Sequence, residues 1–165
     1  MSEKKSKLDG NPVEHPLHYT SHKSGIEAVE IIENLIGNCC NAIKYLLRLD
    51  KKWDTLEDIQ KSMWYTHREI WRRSGLTKDQ VKFPVLGKDH SPSDFAFDFM
   101  TLDDYALDVP FKQVKDIKKV VECSEPRVGT AIFYIWLADK QPGIKNLCIA
   151  SSYIKAEIEA RKLLN

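Results

Sequence analysis

The sequence predicts an all-α protein: two degenerate three-helix repeats packed into one helical domain. Three observations lead there. Apolar residues recur at helical spacing through most of the chain. A run of three such segments occurs twice, separated by a Pro- and Gly-punctuated stretch. Residues of the first run also meet like residues of the second at a nearly constant offset, the mark of an internal repeat. At an offset of 89, Glu33, Ala42, Ile43, Tyr45, Asp50 and Lys51 meet Glu122, Ala131, Ile132, Tyr134, Asp139 and Lys140. One residue then drops out, and at 88 Tyr65, Glu69, Ile70 and Arg73 meet Tyr153, Glu157, Ile158 and Arg161.

Taken in order, residues 1–12 are polar and end in Asn-Pro, which reads as a disordered lead-in. The first repeat spans 13–75. After a His- and Pro-bearing segment, Ala28, Val29, Ile31, Ile32 and Leu35 form one helical face, with Gly37 as its expected stop. A second helix is expected from about Cys39 to Asp50. A third runs from about Leu56 to Arg73, with Thr55 as N-cap and Asp58 closing a capping box. Residues 76–110 read as a connector, acidic and aromatic in its middle, with a short helix near "TLDDYAL". The second repeat spans 111–165. Its helices are "FKQVKDIKKVVE", the almost uniformly apolar "RVGTAIFYIWLADK", which is expected to be buried, and "GIKNLCIASSYIKAEIEARKLL".

A chain of 165 residues can bury a sizeable core, and a net charge of +1 gives no global field toward nucleic acid or membrane. An anion site must therefore come from local clustering, and no nucleic-acid partner is expected. Four cysteines without C-x-x-C spacing fit reduced thiols rather than a disulfide frame or a zinc site. A polar N-terminus and short apolar runs point to a cytoplasmic protein with no membrane partner.

The differences between the repeats carry the functional signal. In the first, Asn41, Lys44, Tyr45 and Arg48 stand at i, i+3, i+4 and i+7, as do Asp58, Lys61, Ser62 and Tyr65 on the next helix. Glu27, Glu30 and Asn34 form a third polar stripe. In the second repeat the matching positions read Thr130, Phe133, Tyr134 and Leu137, then Asn146, Ile149, Ala150 and Tyr153. Most of the charge has gone, so the site is expected in the first repeat. Solvated helix faces are the commonest fate of such stripes. Here the helix bearing Lys44 and Arg48 is apolar on its other sides, so its cations need a carboxylate or a bound anion. The apolar helix of the second repeat also needs a cover, which makes a homo-oligomer contact an expectation.

The segments His15-Pro-Leu-His18-Tyr19, Gly25-Ile-Glu27 with Glu30, Asn41-Ala-Ile-Lys44-Tyr45 with Arg48 and Lys52, and Leu56-Glu-Asp58 with Lys61 and Trp64-Tyr65 together resemble a known pattern. It is that of a small domain family of tailed bacteriophages, long filed as of unknown function. Its characterised relative is a nucleotide kinase of T-odd phages that phosphorylates deoxynucleoside monophosphates without a P-loop. The resemblance covers about residues 13–73. The family's Gly before Asn-Ala-Ile-Lys-Tyr is Cys40 here, and its "RAG" is Arg48-Leu-Asp50.

The resemblance implies a nucleotide ligand, a nucleotide such as ATP as phosphate donor, a possible role for Mg²⁺, and a host-cell cytoplasmic location. Lys44, Arg48, Lys51 and Lys52 suit phosphate oxygens. His15 and His18 are candidate donors or acid–base groups, and with Lys44 and Arg48 make the expected catalytic set. Tyr19, Tyr45 and Tyr65 suit a base. Glu27, Glu30, Asn41, Asp58 and Lys61 complete the expected nucleotide-binding set. A metal cluster of His15, His18 and His22 is disfavoured, since that segment holds a Pro and lacks helical pattern, so no metal ligands are assigned. Two other classes stay open. One is an all-α nucleoside triphosphate pyrophosphatase, from the Glu27/Glu30 pair. The other is a protein that binds a nucleotide, such as a host signal, without turning it over.

Overall fold

A computed structural model describes residues 16–49, 51, 55–81 and 109–164, and within them every regular element is helical. The helices are α1 (Leu17–Thr20), α2 (Ala28–Ile32), α3 (Gly37–Leu47), α4 (Thr55–Ser74), α5 (Phe111–Glu122), α6 (Pro126–Lys140) and α7 (Lys145–Lys162), with a 3-10 turn at Lys78–Gln80. The all-α class is as the sequence predicts. The short helix expected near 101–107 lies outside the described residues.

The largest local departure is at the α2–α3 junction. α2 ends at Ile32, and a turn closed by Leu35 N–H to Ile32 O follows. Ile36 is extended, and α3 then starts at Gly37, whose φ of 33° falls in the left-handed region. Gly37 is therefore the entry to the second helix and not the stop of the first. Asp139 stabilises this entry, as its Oδ1 accepts the Ile36 N–H at 2.9 Å. The expected capping box on the next helix is also replaced: α4 already includes Thr55, and Asp58 is drawn to Arg48 instead.

α6 is the centre of the fold. Ala131, Ile132, Ile135 and Leu137 are fully buried, and Phe133 and Trp136 nearly so. Its neighbours are α3, α5 and α7. Each large aliphatic side chain sealed in this way contributes about 1.5–3 kcal/mol. Phe133 and Leu137 are thus covered within the chain, so the reason for expecting an oligomer contact there does not hold.

The principal helix pairs are α3–α4, α6–α7, α2–α3, α5–α6, α2–α5, α3–α6 and α4–α7, with α1 on α2. Apart from α1, this set is unchanged when α2, α3 and α4 are exchanged for α5, α6 and α7. A local contact recurs in the same sense. Arg73 Nε donates to Glu69 Oε1 at 2.7 Å, and Arg161 Nε donates to Glu157 Oε1 at 2.8 Å. Arg73 also reaches across the halves, with Nη1 at 2.8–3.1 Å from the carbonyls of Ala138, Gln141 and Gly143. Those oxygens lie at the C-terminal end of α6, where carbonyls lack helical partners and a cation is favoured.

Candidate functional site

The polar residues of α3 and α4 meet around one ring, that of Tyr45. It stacks on Tyr65 with centroids 5.8 Å apart and planes 16° from parallel. Three cations surround it: Arg48 Cζ at 4.4 Å from the ring centroid, Lys44 Nζ at 5.2 Å and Lys61 Nζ at 5.7 Å. Such distances place each charge within cation–π range. Trp64 meets Tyr65 edge-on at 4.9 Å, is half exposed, and carries Arg68 over its own ring at 5.2 Å. Helical spacing accounts for the convergence. Lys44, Tyr45 and Arg48 share one side of α3, Lys61, Trp64, Tyr65 and Arg68 share one side of α4, and the two helices pack together.

Arg48 and Asp58 are buried and paired. Arg48 Nε donates to Asp58 Oδ2 at 2.8 Å, and Nη2 to Oδ1 at 2.5 Å. Burial opposes the guanidinium charge, but the hydrogen bonds and charge of Asp58, with the Tyr19 side chain, outweigh it and lift Arg48 above the ordinary arginine pKa. The need for a counter-charge is met here by a carboxylate. The stripes are accordingly not simple faces: Asp58 and Ser62 turn inward, while Lys44, Tyr45, Lys61 and Tyr65 stay half-buried. Lys44 Nζ donates to Asn41 Oδ1 at 2.8 Å, and Asn41 Nδ2 to Gly37 O at 3.2 Å. Lys61 is paired with Glu57, whose hydrogen bond raises its pKa.

The acidic pair of α2 is engaged elsewhere. Glu30 Oε2 accepts the Glu27 N–H at 3.0 Å, and its Oε1 lies 3.5 Å from Lys112 Nζ on α5. Lys51 lies beyond the end of α3 beside His22 and lines a different pocket with Lys23. The structure therefore brings together Tyr19, Asn41, Lys44, Tyr45, Arg48, Asp58, Lys61 and Tyr65. It sets Glu30 and Lys51 apart from them. His15, Lys52 and the side chain of His18 lie outside the described residues. Among the described residues, no three His, Cys, Asp or Glu side chains cluster so as to hold a metal ion. No helix there is long and apolar enough to cross a membrane.

In the sequence His22 was weighed only as a disfavoured metal ligand, and Lys23 and Arg161 had no site role. His22 Nδ1 accepts the Ser24 N–H at 3.2 Å and lies 2.8 Å from Ser24 Oγ. Its Nε2 lies 3.3 Å from Ser124 Oγ, which donates to Val120 O at 2.7 Å. The ring therefore carries its proton on Nε2 and ties the segment before α2 to the α5–α6 turn. Burial, Lys51 and Lys23 hold its pKa below the ordinary histidine value.

A helical domain with this cation-ringed aromatic face is, over part of its length, similar to a described family. Residues 13–67, about a third of the chain, match the model of a protein family of unknown function, DUF3310. That stretch contains α1 to α3 and most of α4, and hence the Tyr45 cluster. No curated protein and no solved structure matches the chain.

Proposed function

We propose that this chain binds a nucleotide on the α3–α4 face, with the base against the Tyr45–Tyr65–Trp64 aromatics and the phosphates toward Lys44 and Lys61. One observation carries the reading: a stacked tyrosine pair ringed by three cations, beside a half-exposed tryptophan. Aromatic faces take bases of any sequence by stacking, and lysine heads take phosphate oxygens as point charges. Arg48 serves this site indirectly. With its Nε and Nη2 donating to Asp58, it stiffens the wall behind Tyr45.

Phosphoryl transfer from ATP to a nucleoside monophosphate, in a phage-infected cell, is the chemistry the family resemblance implies. Positioning and charge neutralisation supply most of the catalysis in such reactions, so a cluster of this type suits it. Mg²⁺ would travel with the nucleotide phosphates, since Asp58 and Glu30 already face Arg48 and Lys112. Binding without turnover is favoured by the same Arg48–Asp58 pair, which cancels a cation and an acid that catalysis would otherwise use.

Thermal shift with nucleoside mono-, di- and triphosphates, with and without Mg²⁺, tests the reading on the wild type and on Lys44→Ala. A ligand that binds only the folded chain raises its stability. A shift with a monophosphate that Lys44→Ala abolishes supports it. No shift with any nucleotide overturns it. Product formation from ATP and the monophosphate then separates kinase from sequestering protein.

A further inference from the structure

A second cationic site lies on the other side of the α3 C-terminus. A pocket of about 110 Å³ opens there between the segment after α1, the end of α3, the α5–α6 turn and α7. Its floor is apolar, formed by Leu46, Leu47 and Leu49. Its rim brings together Lys23, Lys51 and Arg161, three cations far apart in sequence, with His22 beside them.

We propose that this pocket binds a phosphate group, from free phosphate or from a nucleotide, independently of the Tyr45 face. The first support is the charge count at the rim. Neither Lys23 nor Lys51 has an ion pair or side-chain hydrogen bond among the described residues. Arg161, the third cation, is bonded to Glu157, a carboxylate it shares with Arg127 at 3.3 Å. Glu125 is the acid among the described lining residues.

The second support is the backbone. Glu125 is the N-cap of α6, yet its side chain makes no capping hydrogen bond. Pro126 has no N–H, and the first intrahelical bond is Gly129 N–H to Glu125 O at 2.8 Å. The Arg127 and Val128 N–H groups thus precede the helical ladder, and Val128 lines the pocket. Such amides and a helix N-terminus favour an anion. A third support is at His22, whose pKa is lowered first by burial and then by repulsion from Lys51 and Lys23. A phosphate oxygen between those lysines would remove that repulsion.

His22 serves as the reporter. Its Cε1–H resonance, assigned by its loss in His22→Gln, is followed by NMR on the full chain as inorganic phosphate is added. The expected result is a saturable shift and a higher His22 titration midpoint with phosphate bound. Lys23→Gln with Lys51→Gln weakens phosphate affinity at least about tenfold, since each removes a charge-assisted contact. Lys44→Gln leaves it unchanged. Both lysines are exposed, so the double variant retains its fold, and circular dichroism verifies this. A nucleoside monophosphate that displaces phosphate from the same reporter identifies a nucleotide as the source, and failure to displace identifies free phosphate. Absence of a saturable shift, or equal affinity in the double variant, overturns the proposal. Because His22 and the Lys23/Lys51 double variant lie off the Tyr45 face, loss of nucleotide binding there does not affect this outcome.

Discussion

Asp58 holds the one group in the candidate site whose charge is most deeply buried. Its side chain is 5% exposed and accepts hydrogen bonds from Arg48 Nε and Nη2. Removing one partner of such a pair strands the other, so Asp58→Ala should lower unfolding free energy by about 3 kcal/mol in a urea titration. Replacing both, as Arg48→Met with Asp58→Leu, should restore most of that. Two titrations belong at this scale as well. Burial works against the Glu69 charge, but hydrogen bonds from Arg72, Arg73 and Asn38 prevail and bring its pKa to about 2. Its folded value lies below the unfolded one, so the stabilisation is complete above about pH 4.5 and is lost as pH falls toward 2. The loss is on the order of 3 kcal/mol. Glu69→Gln should flatten the urea stability curve across that window. His22 is likewise depressed, so its neutral form stabilises the fold above its unfolded pKa of roughly 6.5. That contribution declines as pH drops below it, and His22→Gln should remove the decline between pH 8 and 5. The sequence showed that a buried cation on α3 needed a counter-charge. It did not distinguish Asp58 from a ligand, because both satisfy the same electrostatic demand.

At the scale of elements, the most specific contact is between α5 and α6. A Cβ at Gly129 would stand 2.8 Å from Val121 O and 3.3 Å from Ser124 Cβ. The first of these is backbone and cannot yield as a side chain would. Gly129→Ala gains about 1 kcal/mol of helix propensity but incurs overpacking of typically 1–3 kcal/mol. It should therefore lower the urea midpoint without changing the m-value, whereas a site limited by propensity would raise it. The sequence placed Gly129 opposite Cys40 in the 89-residue offset, yet nothing local revealed what the glycine accommodates. Helix boundaries were more legible. α5 coincides with "FKQVKDIKKVVE", and α6 and α7 differ from expectation by one or two residues, because their apolar periodicity runs unbroken between Pro and Gly signals. α2 was misjudged in length: Leu35 continues the apolar spacing, but the chain turns after Ile32 to present Ile36 N–H to Asp139. A partner 103 residues away decides that turn, and local pattern carries no trace of it.

Over the whole molecule, the contacts between the two halves predict that they unfold together. α3 and α4 pack on α6 and α7, Arg73 joins α4 to the end of α6, His67 Nε2 lies 2.7 Å from Ser151 Oγ on α7, and Lys140 Nζ donates to Asn34 O at 3.2 Å. The sequence did not reveal which helices would meet, since side chains on every face of α6 are apolar and periodicity then names no preferred partner. The tryptophans offer a direct test. Trp64 and Trp71 sit on α4, while Trp136 is buried on α6. In a background with Trp53, Trp64 and Trp71 changed to Phe, fluorescence follows the second half, and with Trp53 and Trp136 changed it follows the first. Referenced to the circular-dichroism transition of the same variant, each fluorescence curve should coincide with it, giving one cooperative unit. A fluorescence transition earlier than the helical one in either variant would mean that one half opens alone. The pocket between the α5–α6 turn and the end of α3 would then open with it, whereas a single transition keeps that pocket and the Tyr45 face assembled up to global unfolding.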